Sequence, residues 1–216
     1  TFFNAISGVI APTSGRLLVA GRDLAGQGPH RYAGAGIART FQLNASFETL
    51  SVRDNVRVAA YFGRSNRRSP GLKVGSDTDA IVTDALALVG LSGRDEMIAG
   101  DLPVLDRKLL MLAGALATSP RLLLMDEPVG GLTSKEIDHM LTVVRKIAAT
   151  GVTIILIEHV MRFLVQLSDR VMIMHHGERI FEGRPDQLAN DATVVDVYLG
   201  EGASRRLKHF MEGQAQ

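Results

Sequence analysis

Arg121-Leu-Leu-Leu-Met-Asp-Glu-Pro128 and Val152-Thr-Ile-Ile-Leu-Ile-Glu-His159 are short apolar runs that end in titratable side chains. Each has the length of a strand buried on both faces, the pattern of a parallel sheet. The residues between them read as a helix. Thr133 is placed to cap its start, and Glu136, three residues on, completes a capping box. Ile137, Met140, Leu141, Val144, Ile147 and Ala148 then recur at helical spacing, and Gly151 stops the helix. Strand, helix, strand in this order is a βαβ unit with a right-handed crossover, so both strands run parallel and end at one sheet edge. Open parallel sheets bind ligands beyond the carboxyl ends of their strands. Asp126, Glu127 and His159 are therefore the first candidates for a functional site.

Outward from this unit the reading is coarser. Phe2 to Ser7 reads as helix, and Arg16 to Ala20 as a strand leading into a turn at Gly21-Arg22-Asp23. Gly36 to Phe41 reads as a strand that delivers Gln42. Residues from about Val52 to Thr118 are mainly helical in pattern, with Asp79–Gly90 amphipathic and Leu109–Ala117 strongly apolar. Arg64 to Ser76, rich in Arg, Ser, Gly and Pro, is the best candidate for a flexible loop. Arg170–Met174 and Arg179–Phe181 read as strands around the turn His175-His176-Gly177-Glu178. There is no internal repeat.

Composition narrows the class. At 216 residues, with 46% hydrophobic and 22% charged, the chain suits one large domain or a domain with a small subdomain. Disorder and fibrous repeats are excluded. The apolar run Leu109–Ala117 is far short of the ~18–20 residues of a membrane span. A net charge of +1 creates no field that would recruit nucleic acid. The local clusters Arg64, Arg67, Arg68 and Arg205, Arg206, Lys208 read as a solvated loop and tail. The absence of cysteine excludes disulfides, a thiolate nucleophile and Cys-ligated metal, and fits a reducing cytoplasm. His175 and His176, as neighbours in a strand, point to opposite faces and do not share an ion. Gly34-x-Gly36 precedes a strand where a dinucleotide fingerprint would follow one.

Arg121 to Pro128 resembles the Walker B strand of the ATP-binding cassette (ABC) ATPases. The resemblance extends in family order along nearly the whole chain. Ile37-Ala-Arg-Thr-Phe-Gln42 is similar to the Q-loop strand, with Leu50-Ser-Val-Arg-Asp-Asn-Val56 continuing it. Ile155-Leu-Ile-Glu-His159 resembles the switch-histidine strand, and Asp169 to Gly183 the closing strands. Phe2-Phe-Asn4, Arg39-Thr-Phe-Gln42 and Asp196-Val-Tyr-Leu-Gly200 look like the ATPase subunits of branched-chain amino-acid importers. The resemblance implies a P-loop NTPase (RecA-like) α/β core with a parallel sheet plus a helical subdomain. Its implied limits are one ATPase domain over 1–216, with core 1–50 and 119–200, helical subdomain about 51–118 and tail 201–216. Asp126 would serve Mg²⁺ and Glu127 would be the general base. Gln42 would join the metal shell, and His159 would contact the γ-phosphate of ATP. Partners implied are a second ABC ATPase subunit, transmembrane permease subunits and, indirectly, a periplasmic substrate-binding protein, but no nucleic acid. The location implied is cytoplasmic, peripheral on the inner face of the cell membrane.

Three departures accompany the resemblance. The phosphate-binding loop GxxxxGK[ST] is absent; Thr1 aligns with the second hydroxyl residue, near the α-phosphate, so the loop is expected upstream of a chain that does not begin with Met. The family's signature LSGGQ is replaced by Leu102-Pro-Val-Leu-Asp-Arg-Lys108. Pro103 offers no N–H, Leu105 adds bulk at a glycine position, and Asp106 brings negative charge toward a phosphate. Equally, Pro and Asp are good helix-start residues, and a helix N-terminus with Arg107–Lys108 favours an anion. Finally, Thr133 stands where the D-loop usually has Asp. The expected function is an ATP-binding and hydrolysing importer subunit, with a catalytically weak partner subunit as the alternative.

Overall fold

The computed structural model describes residues 1–40, 46–63, 76–191 and 194. The chain divides into two units, Thr1–Ile157 and Glu158–Gln216, each with its own apolar cluster.

In chain order the first unit holds α1 (Phe2–Ile6), β1 (Leu18–Val19), β2 (Arg22–Asp23), α2 (Pro29–Gly34), β3 (Ile37–Thr40), α3 (Val52–Phe62) and α4 (Ser76–Val89). A 3₁₀ turn at Ala99–Asp101, α5 (Val104–Ala117), β4 (Leu122–Asp126), α6 (Ser134–Ala149) and β5 (Thr153–Ile157) complete it. β3, β4 and β5 form a parallel sheet in that order, with Ile37 opposite Leu122 and Asp126 opposite Ile157. The βαβ reading of Arg121–His159 is realised by β4, α6 and β5. β4 is the central strand, paired along both edges, and Leu123, Leu124 and Met125 are each 0% exposed, so both of its faces are covered.

β5 departs from expectation. It was read as buried on both faces, yet Ile155 and Ile157 are exposed. The exposure is confined to one face: Thr153, Ile155 and Ile157 alternate along the strand and are exposed, whereas Ile154 and Leu156 on the opposite face are half-buried. An apolar run specifies that a strand can be buried, but the neighbours decide whether it is.

Local chemistry explains the remaining elements. Gly36 opens β3 with φ +88°, and an added Cβ would press on Arg121 at 3.2–3.3 Å, where Arg121 and Leu122 donate to the Gly36 carbonyl at 2.8 and 3.0 Å. Gly21-Arg22-Asp23 is not simply a turn: Arg22 and Asp23 form β2, and the tight reversal falls one residue earlier, at Ala20 (φ 48°) and Gly21 (φ 77°). Phe3, Ile6, Leu24, Tyr32, Ile37 and Leu124 form one cluster that seats α1 and α2 on the sheet. The helical stretch packs as α3, α4 and α5. Ser51 caps α3 by accepting from the Asp54 N–H at 3.1 Å. Buried Asn55 clamps the preceding loop, accepting from the Phe47 N–H at 2.8 Å and donating to the Phe47 and Ser51 carbonyls at 3.0 and 2.9 Å. Among the described residues no helix is long and apolar enough to cross a membrane.

The second unit contains α7 (Met161–Leu167), the antiparallel pair β6 (Val171–His175) and β7 (Glu178–Gly183), and a 3₁₀ turn at Pro185–Asn190. Val171, Ile173, Leu188 and Val194 form its cluster. The two histidines correct a second expectation. His176 lies in the hairpin turn (φ 48°), not in the strand, and its ring meets that of His175 edge-to-face at 4.1 Å. Strand alternation therefore does not separate them. The loop expected at Arg64–Ser76 and the segment Asp196–Gly200 lie outside the described residues, except that Ser76 begins α4.

Candidate functional site

The site begins where β4 ends. Asp126 is the last strand residue, half-buried and held in register opposite Ile157. Glu127 follows with its N–H on the Ile157 carbonyl at 2.9 Å and its backbone in the left-handed region at φ 47°. For a residue with a Cβ that conformation costs about 1 kcal/mol, and such positions cluster at functional sites. It turns the chain sharply, leaving Glu127 exposed beside the carboxyl edge of the sheet. Two successive carboxylates thus occupy different environments: one fixed in the strand, one free to face solvent.

Asp126 is held by a residue of the neighbouring strand. Arg39 of β3 donates from Nη2 to Asp126 Oδ2 at 2.8 Å. Its Nη1 donates to Asn4 Oδ1 at 2.8 Å and Ser7 Oγ at 3.0 Å, and its guanidinium lies 5.7 Å from the centre of the Phe3 ring. The structure therefore ties α1, β3 and β4 together at one point. Thr1 is the exposed N-cap of α1, its carbonyl accepting from the Ala5 N–H at 3.1 Å. Gln42 lies outside the described residues.

His159 belongs to the second unit, where its imidazole is largely exposed. The fully buried Glu158 carboxylate accepts from the His159 and Val160 N–H groups, both at 3.0 Å, and so shapes the turn that carries the histidine.

The loop after Glu127 returns through Gly131 (φ 76°) to the start of α6. There the Glu136 carboxylate accepts from both the Thr133 hydroxyl and the Thr133 N–H at 2.7 Å. These bonds, the hydroxyl's first, hold the Glu136 carboxyl below its ordinary range. Thr133 and Glu136 thus join at the helix start, as the sequence pattern anticipated.

The altered signature differs from expectation in two respects. Pro103 is the N-cap of α5, without an N–H, as its chemistry requires. Asp106, however, does not present a negative charge to an incoming phosphate: it is buried and paired with Arg94. Arg107 is likewise committed. Its Nε donates to the Leu102 carbonyl and its Nη2 to the Gly100 carbonyl, both at 2.8 Å, which satisfies the 3₁₀ turn before α5. Lys108 sits 3.4 Å from the Glu127 carbonyl.

The sequence assigns no role of their own to Arg39, Arg94 and Asn55. For Arg39 a signal existed, since a cation inside the strand pattern Ile37-Ala-Arg-Thr40 demands a buried partner. Nothing local names that partner, which is 87 residues away. A cavity of about 420 Å³ opens beside Arg39, lined also by Tyr32, Phe47, Ala59, Leu110 and Gly114.

The donor set suits a hard cation that brings other ligands with it. Asp126 supplies oxygen, and among the described residues no three His, Asp or Glu side chains converge to cage an ion. Mg²⁺ is commonly held by one or two carboxylates plus substrate phosphates, which this edge can accommodate.

Residues 1–130 match the family model described as ABC transporter. The branched-chain amino acid transport ATP-binding protein BraF of Pseudomonas aeruginosa is 30% identical over 210 residues, covering 93% of this chain and 82% of that protein. LivG of Escherichia coli, with the same description, is 31% identical over 211 residues at the same coverages. The ribose import ATP-binding protein RbsA 1 of Rhizobium johnstonii is 31% identical over 204 residues, covering 93% of this chain but 38% of its own length. Among solved structures, the ADP conformation of MJ1267, an ATP-binding cassette of an ABC transporter, superposes with a TM-score of 0.81 at 26% identity, over 93% of this chain and 82% of that one.

Proposed function

The chain belongs to the ABC transporter family and carries its ATPase domain, and from that premise we propose that it hydrolyses ATP in an importer of branched-chain amino acids or related small amides. One observation carries the chemistry: Asp126 and Glu127 stand in succession at the carboxyl end of the central parallel strand, the first fixed by Arg39 and the second exposed.

Asp126 and Gln42 are the residues that would hold Mg²⁺, directly or through water. When bound, that ion screens the charge on the transferring phosphate. Glu127 accepts a proton from the attacking water as general base. His159 contacts the γ-phosphate, and Thr1 lies near the α-phosphate. Residues 51–118 act as the helical subdomain of a single domain spanning the chain, and face the membrane partner. The protein works as a dimer with a second ABC ATPase subunit, beside transmembrane permease subunits served by a periplasmic binding protein. It is thereby held at the cytoplasmic face of the membrane. The names of BraF and LivG favour amino-acid cargo over the sugar of RbsA 1, since those two relatives match over 82% of their length.

A second reading has its own support. Pro103, Leu105 and the committed Asp106 and Arg107 leave the signature segment without the donors that the motif offers a partner's phosphate. The chain then acts as the catalytically weak member of an unequal pair.

Glu127→Gln in the assembled transporter tests the first reading. ATP binding should persist while turnover falls ~10²–10⁴-fold, the usual contribution of a positioned base. Unchanged turnover would show that Glu127 is not the base.

A further inference from the structure

Arg39 and Asp126 form an ion pair whose members are unequally held. The guanidinium is nearly enclosed, its side chain 12% exposed; Nη2 bonds Asp126 while Nη1 is held by Asn4 and Ser7, and the ring of Phe3 lies against it. Its place is set by α1 and by β3, where Arg39 stands opposite Leu124. The carboxylate is 23% exposed at the carboxyl edge of the sheet, and among the described residues its side-chain partner is Arg39. The cation is thus the fixed member and the anion the accessible one, which can rotate about a single bond.

Fixing a unit positive charge against this oxygen has a consequence for any other cation. A divalent ion at Asp126 must either share the carboxylate with the guanidinium, against repulsion between like charges, or draw the carboxylate away from it. A purely structural pair does not need the arginine tied to a separate helix. Here the tie to α1 prevents the guanidinium from withdrawing when a second cation arrives.

We infer that Arg39 is a positioning residue that occupies Asp126 with an internal cation and thereby sets the site's affinity for free divalent metal. Metal alone binds weakly. Metal accompanied by phosphate oxygens binds well, because the added negative charge offsets the guanidinium. The inference rests on the reading of Asp126 as the metal carboxylate, and deepens it.

Mn²⁺ is the probe, titrated into the full 216-residue chain without nucleotide and followed by the loss of the free-ion electron paramagnetic resonance signal. Arg39→Met should bind Mn²⁺ about tenfold more tightly than the wild type, since a full charge at contact distance is removed from a half-buried site. Arg39→Lys keeps the charge and should retain the weak affinity, so the two variants differ in Mn²⁺ affinity although both lose the guanidinium's contacts, a difference that a merely structural arginine would not produce. Asn4→Ala loosens the grip from the α1 side and should give a smaller gain than Arg39→Met; it decides the matter if the methionine variant does not fold. Asp126→Asn should abolish the site in every background.

Two failures are distinguishable. If Asp126→Asn removes Mn²⁺ binding but Arg39→Met and Asn4→Ala bind like the wild type, the role of Arg39 is wrong and Asp126 remains the metal carboxylate. If Mn²⁺ binding survives Asp126→Asn, or no variant binds Mn²⁺, the reading of Asp126 falls and the inference with it.

Discussion

Arg94→Met should destabilise the chain by about 2 kcal/mol, through the carboxylate it leaves behind. Asp106 is buried at the start of α5, its side chain 11% exposed, whereas Arg94 is 45% exposed. Breaking a fully buried pair costs about 3–5 kcal/mol, and an exposed pair contributes about 0–1 kcal/mol. This pair lies between those limits because the arginine remains hydrated. With a urea dependence of about 2 kcal/mol per molar, the midpoint should fall by about 1 M. Far-UV circular dichroism would follow it, since α5 is a long central helix. The two members should not be equivalent. Asp106→Gln removes the buried charge itself and leaves Arg94 facing water, so it should cost about half as much. Arg94→Met/Asp106→Leu should recover most of the loss by removing both charges. The reasoning fails if Asp106→Gln is as damaging as Arg94→Met, or if the double variant is no better than the single. Either result would mean that Asp106 is not a buried charge in need of a partner.

Two further predictions concern neighbouring loops. Glu136 has a folded-state pKa held down by Thr133, so its contribution is fully present above the ordinary carboxylate pKa of about 4.3 and is lost as pH falls through the lower folded value. Glu136→Gln should therefore be less stable than the wild type at pH 7, and the gap should close on acidification; urea midpoints across pH 7 to 3 would measure it, and a constant gap would contradict the cap. Restoring Ser at position 103 with Gly at position 105, in a transporter whose partner subunit has an intact signature, should raise turnover at the slower ATP site, by up to ~10²–10³-fold for a recovered transition-state donor. Single-turnover ATP hydrolysis would resolve the two sites, and no gain would exclude Pro103 and Leu105 as the cause of inequality.

The parts legible in the sequence are those specified by near neighbours. Apolar runs at Leu122–Met125 and Thr153–Ile157 and the helical spacing between them were sufficient for a βαβ unit, because strand and helix periods are local properties. The Thr133–Glu136 cap was legible because its partners are three residues apart. Asp126 and Glu127 were legible as candidates because a strand's end is visible in composition alone. The turn residues were harder. One residue of offset placed Arg22 in a strand and His176 in a reversal, since the backbone of a tight turn depends on which residues accept a positive φ.

What only the tertiary structure decided is who faces whom. The sequence determined that β5 could be buried; packing left the face that carries Ile155 and Ile157 exposed. It determined that Asp106 carries a charge at a helix start; packing brought Arg94 against it and turned that charge inward. It determined that Arg39 sits in a strand; folding set it against Asp126, 87 residues away, and against Asn4 of α1 and Ser7 at that helix's end. The physical reason is common to all three. Dihedral preferences and side-chain periodicity act over a few residues, whereas what covers a strand face or pairs a buried charge is settled by the groups that the completed fold delivers to it.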